Sequence, residues 1–485
     1  MTPARIFVLL LFAICSITEA QEKPNIIFIL ADDMSFDSVS ANNDKIGGMK
    51  TPYIDRLISE GMNFKDAHSG SAVCTPTRYG LLTGRYCWRT RLKNSVLWEY
   101  AAPLIEKDRL TVADMLQKKG YRTGMVGKWH LGMDWRGADG EIVNDRLELG
   151  DATFREGEPA ERVQAVAEAI DYSQPITGGP TDRGFDYYWG VDVPNFPPYI
   201  WIENDRIQGD PSTTKPDEMF GSPGVMLPGW KLEEILPTLA EKAGDWISAQ
   251  KNVDLPFFLY LSLTSPHTPI SPSDNFRGKS GISDYADFVI ETDWVVGDVL
   301  KSLQEAGVAD NTLVIFSTDN GTSPKANFKE LEAHGVDLRH HFKGHKAQIH
   351  EGGHRVPFVV RWPGKTKPGT VCHETICLND FMATVAEIIG FELPGNCAED
   401  STSLLPLFTG ERERLPDRPL VINHDYSGNF AIRKGKWKLI EESGFKLYDL
   451  SKDPKESKEL SGSHPEIVKE LSAVLDRYRS DGRSR

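Results

Sequence analysis

Residues 25–31 read NIIFILA, and the next two residues are Asp32 and Asp33. An unbroken apolar run of this length is the pattern of a strand buried on both faces of a parallel sheet. Two more runs have the same form: residues 256–263, PFFLYLSL, and residues 312–317, TLVIFS. Each stops abruptly in polar chemistry, at Asp32-Asp33, at Ser265-Pro266-His267 and at Asp319-Asn320-Gly321. In open α/β sheets, ligands bind at the carboxyl ends of the strands. Three strands delivering polar groups there mark a candidate site by pattern alone.

Helical signals alternate with these runs. Thr51 suits an N-cap, Pro52 the first helical position and Gly61 the end of a helix. Tyr285, Phe288, Val289, Thr292, Val296, Val299, Leu300 and Leu303 recur at helical spacing. Alternating strands and helices predict a large α/β domain with a doubly wound, mostly parallel sheet. Residues 134–228, rich in Gly, Pro and Trp, read as a long loop-like connection of the kind that often forms a binding surface. Near Leu415 the pattern changes to a smaller α+β domain. Residues 430–440 and 445–450 read as hairpin strands. A last helix opens with a Ser463/Glu466 capping box and shows Ile467, Leu471, Val474, Leu475 and Tyr478 on one face.

The division expected is therefore a signal peptide over 1–20, a catalytic domain over 21–414 and a C-terminal subdomain over 415–485. The leader is read from Arg5, the apolar run Ile6 to Ile14 and the small residues of Thr18-Glu19-Ala20. It is too short for a permanent anchor, and no other run is long and apolar enough to be one. Export to the periplasm or the medium is the expected location. The formal net charge is -15, which argues against nucleic acid as a partner, where a basic face is expected. It does not exclude an anionic substrate, because local charge can oppose the global charge. Once Cys15 leaves with the leader, Cys74, Cys87, Cys372, Cys377 and Cys397 remain. An odd number in an exported chain flags one chemically special cysteine. The other four allow three pairings, among which the sequence does not choose.

Residues 74–84 read CTPTRYGLLTG, and residues 120–130 read GYRTGMVGKWH. The first resembles the sulfatase signature Cys-x-Pro-x-Arg followed by Leu-Thr-Gly. The second resembles that family's second signature without a gap. Asp-Asp, Ser-Pro-His, Asp-Asn-Gly and Lys-x-x-x-x-Glu-Gly-Gly follow in the family's order, and the resemblance runs from Lys23 into the C-terminal domain. Physics agrees with it. Pro76 suits the start of a helix running to about Thr83, whose positive end would face Cys74, where a sulfate must sit.

The resemblance to these formylglycine-dependent, arylsulfatase-like enzymes of the alkaline phosphatase superfamily implies specific roles. Cys74 is oxidised to formylglycine by a formylglycine-generating enzyme or an anaerobic sulfatase-maturating enzyme. Asp32, Asp33, Asp319 and Asn320 hold one calcium ion, with the formylglycine from Cys74 completing the metal site. Clustered carboxylates need a cation or protons between them, and oxygen donors favour calcium or magnesium over zinc. Asp319 helps deprotonate the hydrated aldehyde. Arg78, Lys128 and Lys346 stabilise charge on the sulfate. His267 protonates the departing alcohol, and His130 takes a proton from the second hydroxyl. Lys128 and His130, two apart on an extended segment, are expected to point the same way. Counting back five residues from Glu351 selects Lys346 over Lys343.

Other motifs are weaker. His350-Glu351-Gly352-Gly353-His354 has the letters of a zinc-protease helix, but two adjacent glycines cost about 2 kcal/mol of helix stability. Asn320-Gly321-Thr322 is a glycosylation triplet on the expected site, where a glycan would block access. Six of the twelve histidines lie between His334 and His354, in what reads as a polar loop. The aromatics Trp98, Trp135, Tyr187, Tyr188, Trp189, Tyr199 and Trp201 suit either sugar stacking or loop packing. Together with export they suggest a sulfated sugar or polysaccharide as substrate, and the expected partner is a sulfated carbohydrate or an aryl sulfate. The competing expectations are a phosphonate or phosphate ester hydrolase sharing the formylglycine, and a secreted glycan-binding protein whose Cys74 stays unmodified.

Overall fold

The computed structural model describes residues 23–143 and 160–485. The leader expected over 1–20 lies outside them. Among the described residues, no helix is long and apolar enough to cross a membrane.

Ten strands make the main sheet: β1 Asn25–Ala31, β2 Met62–Phe64, β3 Arg122–Lys128, β4 Tyr187–Val191, β5 Trp201–Glu203, β6 Arg206–Gln208, β7 Phe257–Ser262, β8 Thr312–Thr318, β9 Phe358–Arg361 and β10 Thr370–Cys372. Their order is β10-β2-β9-β8-β1-β7-β3-β4-β5-β6. The central strands β8, β1, β7, β3 and β4 are parallel, while β9 and β5 pair antiparallel with their neighbours. The three apolar runs are thus adjacent, with β1 in the middle.

Strand alternation explains the two covered faces. Ile26, Phe28 and Leu30 face one core, which takes in Tyr79, Leu81 and Leu82 of α1 (Cys74–Thr83) and Phe381, Met382 and Val385 of a later helix. Ile27, Ile29 and Ala31 face the other core, with residues from Ile235–Ser248 (α2) and Asp284–Ala306 (α3). All six of these β1 side chains are fully buried. Burying each of the larger ones favours folding by roughly 1.5–3 kcal/mol. Ser283 caps α3 by accepting from the Ala286 N–H, and Gly307 ends it at φ 75°. The helix over Pro52–Glu60 has the expected start and stop.

The segment 134–228 departs from the expectation of a loop. It supplies β4, β5, β6 and the helix Ala160–Ala169. Its strands are short and interrupted by Gly, Pro and Asn, so no apolar run was long enough to announce them. Most of its aromatics pack inward: Trp135, Tyr188 and Tyr199 are buried, and Trp189 stacks on Trp201 at 5.9 Å.

A separate antiparallel sheet follows: β11 Val421–His424, β12 Phe430–Lys434, β13 Trp437–Glu441 and β14 Phe445–Asp449, with α4 (Pro465–Ser480) against it. Residues 430–440 thus form two strands rather than one, because the Gly435-Lys436 turn divides them. The capping box does not form. Ser463 closes a preceding 3-10 turn, His464 takes the N-cap position, and Pro465 begins the helix. Leu471, Leu475 and Tyr478 are buried as the helical spacing requires.

The two sheets are joined by buried charge. Lys438 of β13, fully buried, lies 3.0 Å from Glu351 and 2.9 Å from Glu456, and donates to the Ile349 carbonyl at 2.9 Å. Arg433 of β12 lies 3.2 Å from Glu351 and from Asp66. Removing one member of such a network leaves an uncompensated buried charge, at a typical cost of about 3–5 kcal/mol. The C-terminal sheet is therefore tied to the segment carrying Lys346.

Candidate active site

α1 begins at Cys74, two residues before Pro76, after an extended Val73. Proline is tolerated anywhere in a first turn, because those N–H groups have no intrahelical partner. Those same groups give Cys74 a surrounding that favours an anion. Every residue of α1 is buried.

The carboxyl ends of four parallel strands converge on this terminus. Asp32 and Asp33 follow β1, His267 follows β7, Asp319 and Asn320 follow β8, and Lys128 closes β3. Asp32 Oδ1 lies 3.8 Å from Cys74 Sγ, and its Oδ2 lies 2.5 Å from Lys128 Nζ. Arg78 Nη2 bridges Asp32 Oδ2 at 3.1 Å and Asp319 Oδ2 at 2.8 Å. Arg78 Nη1 donates to Ser262 Oγ at 2.5 Å, and the Ser262 hydroxyl donates to the Lys128 carbonyl at 2.6 Å. Lys346 Nζ lies 2.7 Å from Asp33 Oδ1 and 3.5 Å from Cys74 Sγ. Asn320 Nδ2 donates to Asp33 Oδ1 at 2.7 Å. Lys343 points elsewhere: its Nζ reaches the Glu456 carbonyl at 3.4 Å.

His130 does not share an extended segment with Lys128. Its φ of 54° turns the chain. Its Nε2 meets the Leu97 carbonyl at 2.9 Å, and its buried Nδ1 has no partner among the described residues. His267 Nδ1 donates to the Thr268 carbonyl, and its Nε2 lies 3.8 Å from Asp33 Oδ2. Asp33 (φ 62°), His130 and Ala347 (φ 73°) all adopt left-handed backbone. Non-glycine residues there cost about 1–3 kcal/mol each and cluster at functional sites.

Burial and close charges perturb the titrations. Burial alone would raise Asp32, but Lys128, His267, Arg78 and Lys346 outweigh it and hold the carboxyl well below its usual range. Burial and the neighbouring Asp32 push Asp319 up to about 7, against Arg78. Burial pushes the Cys74 thiol up to about 12 despite Lys128 and Lys346. Burial and then Lys346 bring His267 down to about 4. His130 is lowered, by burial and then Lys128.

The donor set fits a hard cation. Ligand atoms of Asp32, Asp33, Cys74 and His267 lie within 4.8 Å of one another. Asn320 Oδ1 is a buried acceptor with no donor among the described residues, and the Asp33 N–H holds Asp319 Oδ1 at 3.1 Å. The tight cluster is thus two carboxylates, the residue 74 sulfur and the His267 ring, with Asp319 and Asn320 on the adjoining strand end supplying further oxygen donors of the kind calcium or magnesium takes.

A second cluster, His68, Glu351 and His354, lies apart. His68 Nδ1 and His354 Nδ1 are 2.9 Å apart, and Lys438 Nζ is 3.1 Å from His354 Nε2. A fixed ammonium therefore supplies positive charge to that cluster. The two histidines of the zinc-protease pattern separate as well, since His350 faces Glu456 at 3.3 Å. The remaining loop histidines have varied partners, such as Asp37 for His341 at 2.5 Å. Asn320 is fully buried, which disposes of the glycosylation triplet. Cys74, Cys87, Cys372, Cys377 and Cys397 are all free and buried.

Sequence reading passed over Ser262 and the Leu97 carbonyl. The first leaves a signal, a hydroxyl at the end of an otherwise apolar run. The second leaves none, because a backbone group has no letter. Among the aromatics, Trp98 stacks on Phe196 at 5.2 Å, and Phe196 meets His130 edge-on at 6.3 Å.

The family model described as Sulfatase matches residues 24–391, and that of the N-sulphoglucosamine sulphohydrolase C-terminal region matches 340–481. An N-acetylgalactosamine-6-O-sulfatase of Bacteroides thetaiotaomicron is 32% identical, over 95% of this chain and 94% of its own. Human arylsulfatase A is 29% identical, over 96% and 89%. A solved chain described with the metabolism of multiple glycosaminoglycans by Bacteroides thetaiotaomicron superposes with a TM-score of 0.79 at 30% identity, covering 95% of this chain and 100% of its own.

Proposed function

Because this chain belongs to the sulfatase family and is a sulfuric ester hydrolase, we propose that it is exported and removes a sulfate ester from a sulfated sugar or polysaccharide, using a formylglycine made from Cys74 and one calcium ion. The observation that carries this reading is the position of Lys346, whose ammonium bridges Cys74 Sγ and the acidic cluster. The unmodified thiol, pushed up to about 12 by burial, would be a poor nucleophile at neutral pH, and the proposed formylglycine side chain takes its place. Hydrated, that side chain supplies the attacking hydroxyl. Asp32, Asp33, Asp319 and Asn320 would hold the calcium, which would supply Lewis-acid charge beside residue 74.

The chain's own groups do the rest. Asp319, fixed by Arg78 at 2.8 Å, takes up a proton from the hydrate of residue 74. Arg78, Lys128 and Lys346 hold the sulfate oxygens as charge moves onto the leaving group. His267 Nδ1 is committed to the Thr268 carbonyl, so Nε2 is the nitrogen that hands a proton to the leaving oxygen. An anionic sulfate beside the ring favours its charged form. His130 Nε2–H is committed to Leu97, which leaves Nδ1 as a proton acceptor.

The relative named for N-acetylgalactosamine 6-O-sulfate makes that sugar the first substrate to try, and Trp98 on Phe196 offers an aromatic surface beside His130. Sulfate release from a panel of defined sulfated sugars, run beside an aryl sulfate and an aryl phosphate, tests the reading. A sulfated hexosamine is expected to be the fastest substrate. Faster turnover of the phosphate would replace the reading with a phosphoesterase. In parallel, the peptide containing residue 74 should be about 18 Da lighter than its cysteine form, from loss of hydrogen sulfide and gain of oxygen.

Chelation should lower both the rate and the melting temperature. The cation offsets repulsion among three buried carboxylates, and its removal leaves that repulsion behind. Calcium is expected to restore both better than zinc, because the donors are oxygens. Metal-free protein that keeps full activity and full stability would refute the metal assignment.

A further inference from the structure

We propose that Ser262 is a positioning residue for turnover, its hydroxyl fixing the Arg78 guanidinium and the Lys128 main chain in one arrangement. This rests on the reading of Arg78 and Lys128 as sulfate-binding groups. Ser262 is the last residue of β7 and is fully buried. A hydroxyl has one hydrogen and two lone pairs. The hydrogen goes to the Lys128 carbonyl at 2.6 Å, and Arg78 Nη1 donates into a lone pair at 2.5 Å. Ser262 is the side-chain acceptor for Nη1, whose other contact is the Lys128 carbonyl itself at 3.4 Å. The Nη2 edge is already taken by Asp32 and Asp319, and Nε is buried without a partner.

The backbone is shaped for this contact. Gly127 has φ 119°, and a Cβ there would lie 1.8 Å from the Ser262 carbonyl oxygen. Glycine alone lets β3 and β7 close up at that point, which brings the Lys128 carbonyl to the serine. Replacing the hydroxyl by hydrogen leaves Nη1 without its nearest acceptor and the Lys128 carbonyl without its nearer donor, Nη1 at 3.4 Å being the more distant one. Arg78 stays tethered through Nη2, so the protein folds. The guanidinium is then free to pivot on that edge, and Lys128 Nζ shifts with its main chain. Displacements of about 1 Å at such groups cost on the order of 10²-fold in rate.

The test uses the matured full-length chain, with residue 74 content matched by intact mass. Ser262→Ala is expected to lower kcat about 10- to 100-fold while KM changes less than about threefold, because the loss falls on charge that develops in the transition state. Ser317→Ala is the matched control. Ser317, the penultimate residue of β8, is also fully buried, donates to the Pro357 carbonyl at 2.8 Å and is absent from the Arg78 contacts. It should keep its kcat. In an Arg78→Lys background, Ser262→Ala should cost much less than alone, since the shared contact is already gone. Full kcat in Ser262→Ala beside a crippled Arg78→Ala overturns the positioning role and leaves the reading of the site standing. Full kcat in both variants removes both. Equal loss in Ser317→Ala, or strict additivity with Arg78→Lys, also overturns the proposal.

Discussion

Cys74→Ala is expected to abolish sulfate release while the protein stays folded. The modified side chain is the nucleophile in the proposed reaction, and alanine offers none. Loss of such a group costs about four orders of magnitude or more. The fold should tolerate the change because Cys74 opens α1, where alanine is a better helix former than cysteine. The thiol's polar contacts are long ones, at 3.5 Å to Lys346 and 3.8 Å to Asp32. Those two groups keep their stronger partners, Asp33 and Lys128. Melting temperature should therefore fall by a few degrees at most. Cys74→Ser is expected to be almost as inactive. A serine has one hydroxyl, which accepts a sulfuryl group but lacks the second hydroxyl needed to expel it. Hydrolysis by Cys74→Ala above an empty-vector preparation would sink the formylglycine reading. Inactivity with a collapsed melting transition would mark the cysteine as structural instead.

How much of this was legible in the sequence follows from where each feature is encoded. The central strands are written as apolar runs because both faces of β1, β7 and β8 are buried, which leaves polar residues such as Ser262 and Ser317 only toward their ends. The polar residues after those runs then stand out, and the fold brings Asp32, Asp33, His267, Asp319 and Asn320 together at one end of the sheet. Cys74, Arg78, Lys128 and Lys346 come from segments with their own motif letters. The edge of the sheet was not legible. β4, β5 and β6 are three to five residues long and mix Trp, Tyr, Gly and charged residues, so no periodicity accumulates. Caps failed for a similar reason. Ser463 and Glu466 have the spacing of a capping box, but a 3-10 turn claims Ser463 first. His130 was expected on an extended segment, and only a backbone angle tells otherwise. Contacts made by main-chain groups, such as Leu97 to His130, are invisible to any reading of side chains. Ser262 lies between these cases: its letter was visible, but its meaning depends on Arg78, 184 residues away in sequence.

Lys346→Ala is expected to lower kcat/KM by roughly 10²–10³, about 3–4 kcal/mol of transition-state stabilisation, while Lys343→Ala stays within a few-fold of the parent. Spacing to Glu351 already selects Lys346, and the geometry gives the physical reason. Three residues separate the two lysines, but Gly344 at φ 93° and Ala347 at φ 73° redirect the chain on either side of Lys346. The Lys346 N–H is held by the Thr322 carbonyl at 3.0 Å, and the Ala347 N–H by the Ala72 carbonyl at 2.8 Å. The lysine is thus clamped between the segment after β8 and the segment leading into α1. Its ammonium sits against Asp33 and Cys74, and Asp33, Asp32 and Asp319 keep it charged despite burial. A charge fixed this way needs no reorganisation when negative charge develops on the sulfate and the leaving oxygen, which is why its loss falls on the transition state. Lys343 is exposed and directed at the Glu456 carbonyl, toward the C-terminal sheet. Its removal takes away one weak contact and leaves the Gly352 N–H bond to its own carbonyl intact. Parallel kinetics of the two alanine variants decide the matter. A crippled Lys343→Ala beside an active Lys346→Ala would mean that the loop rearranges when substrate binds, and His345 and His350 would then need new partners along with it.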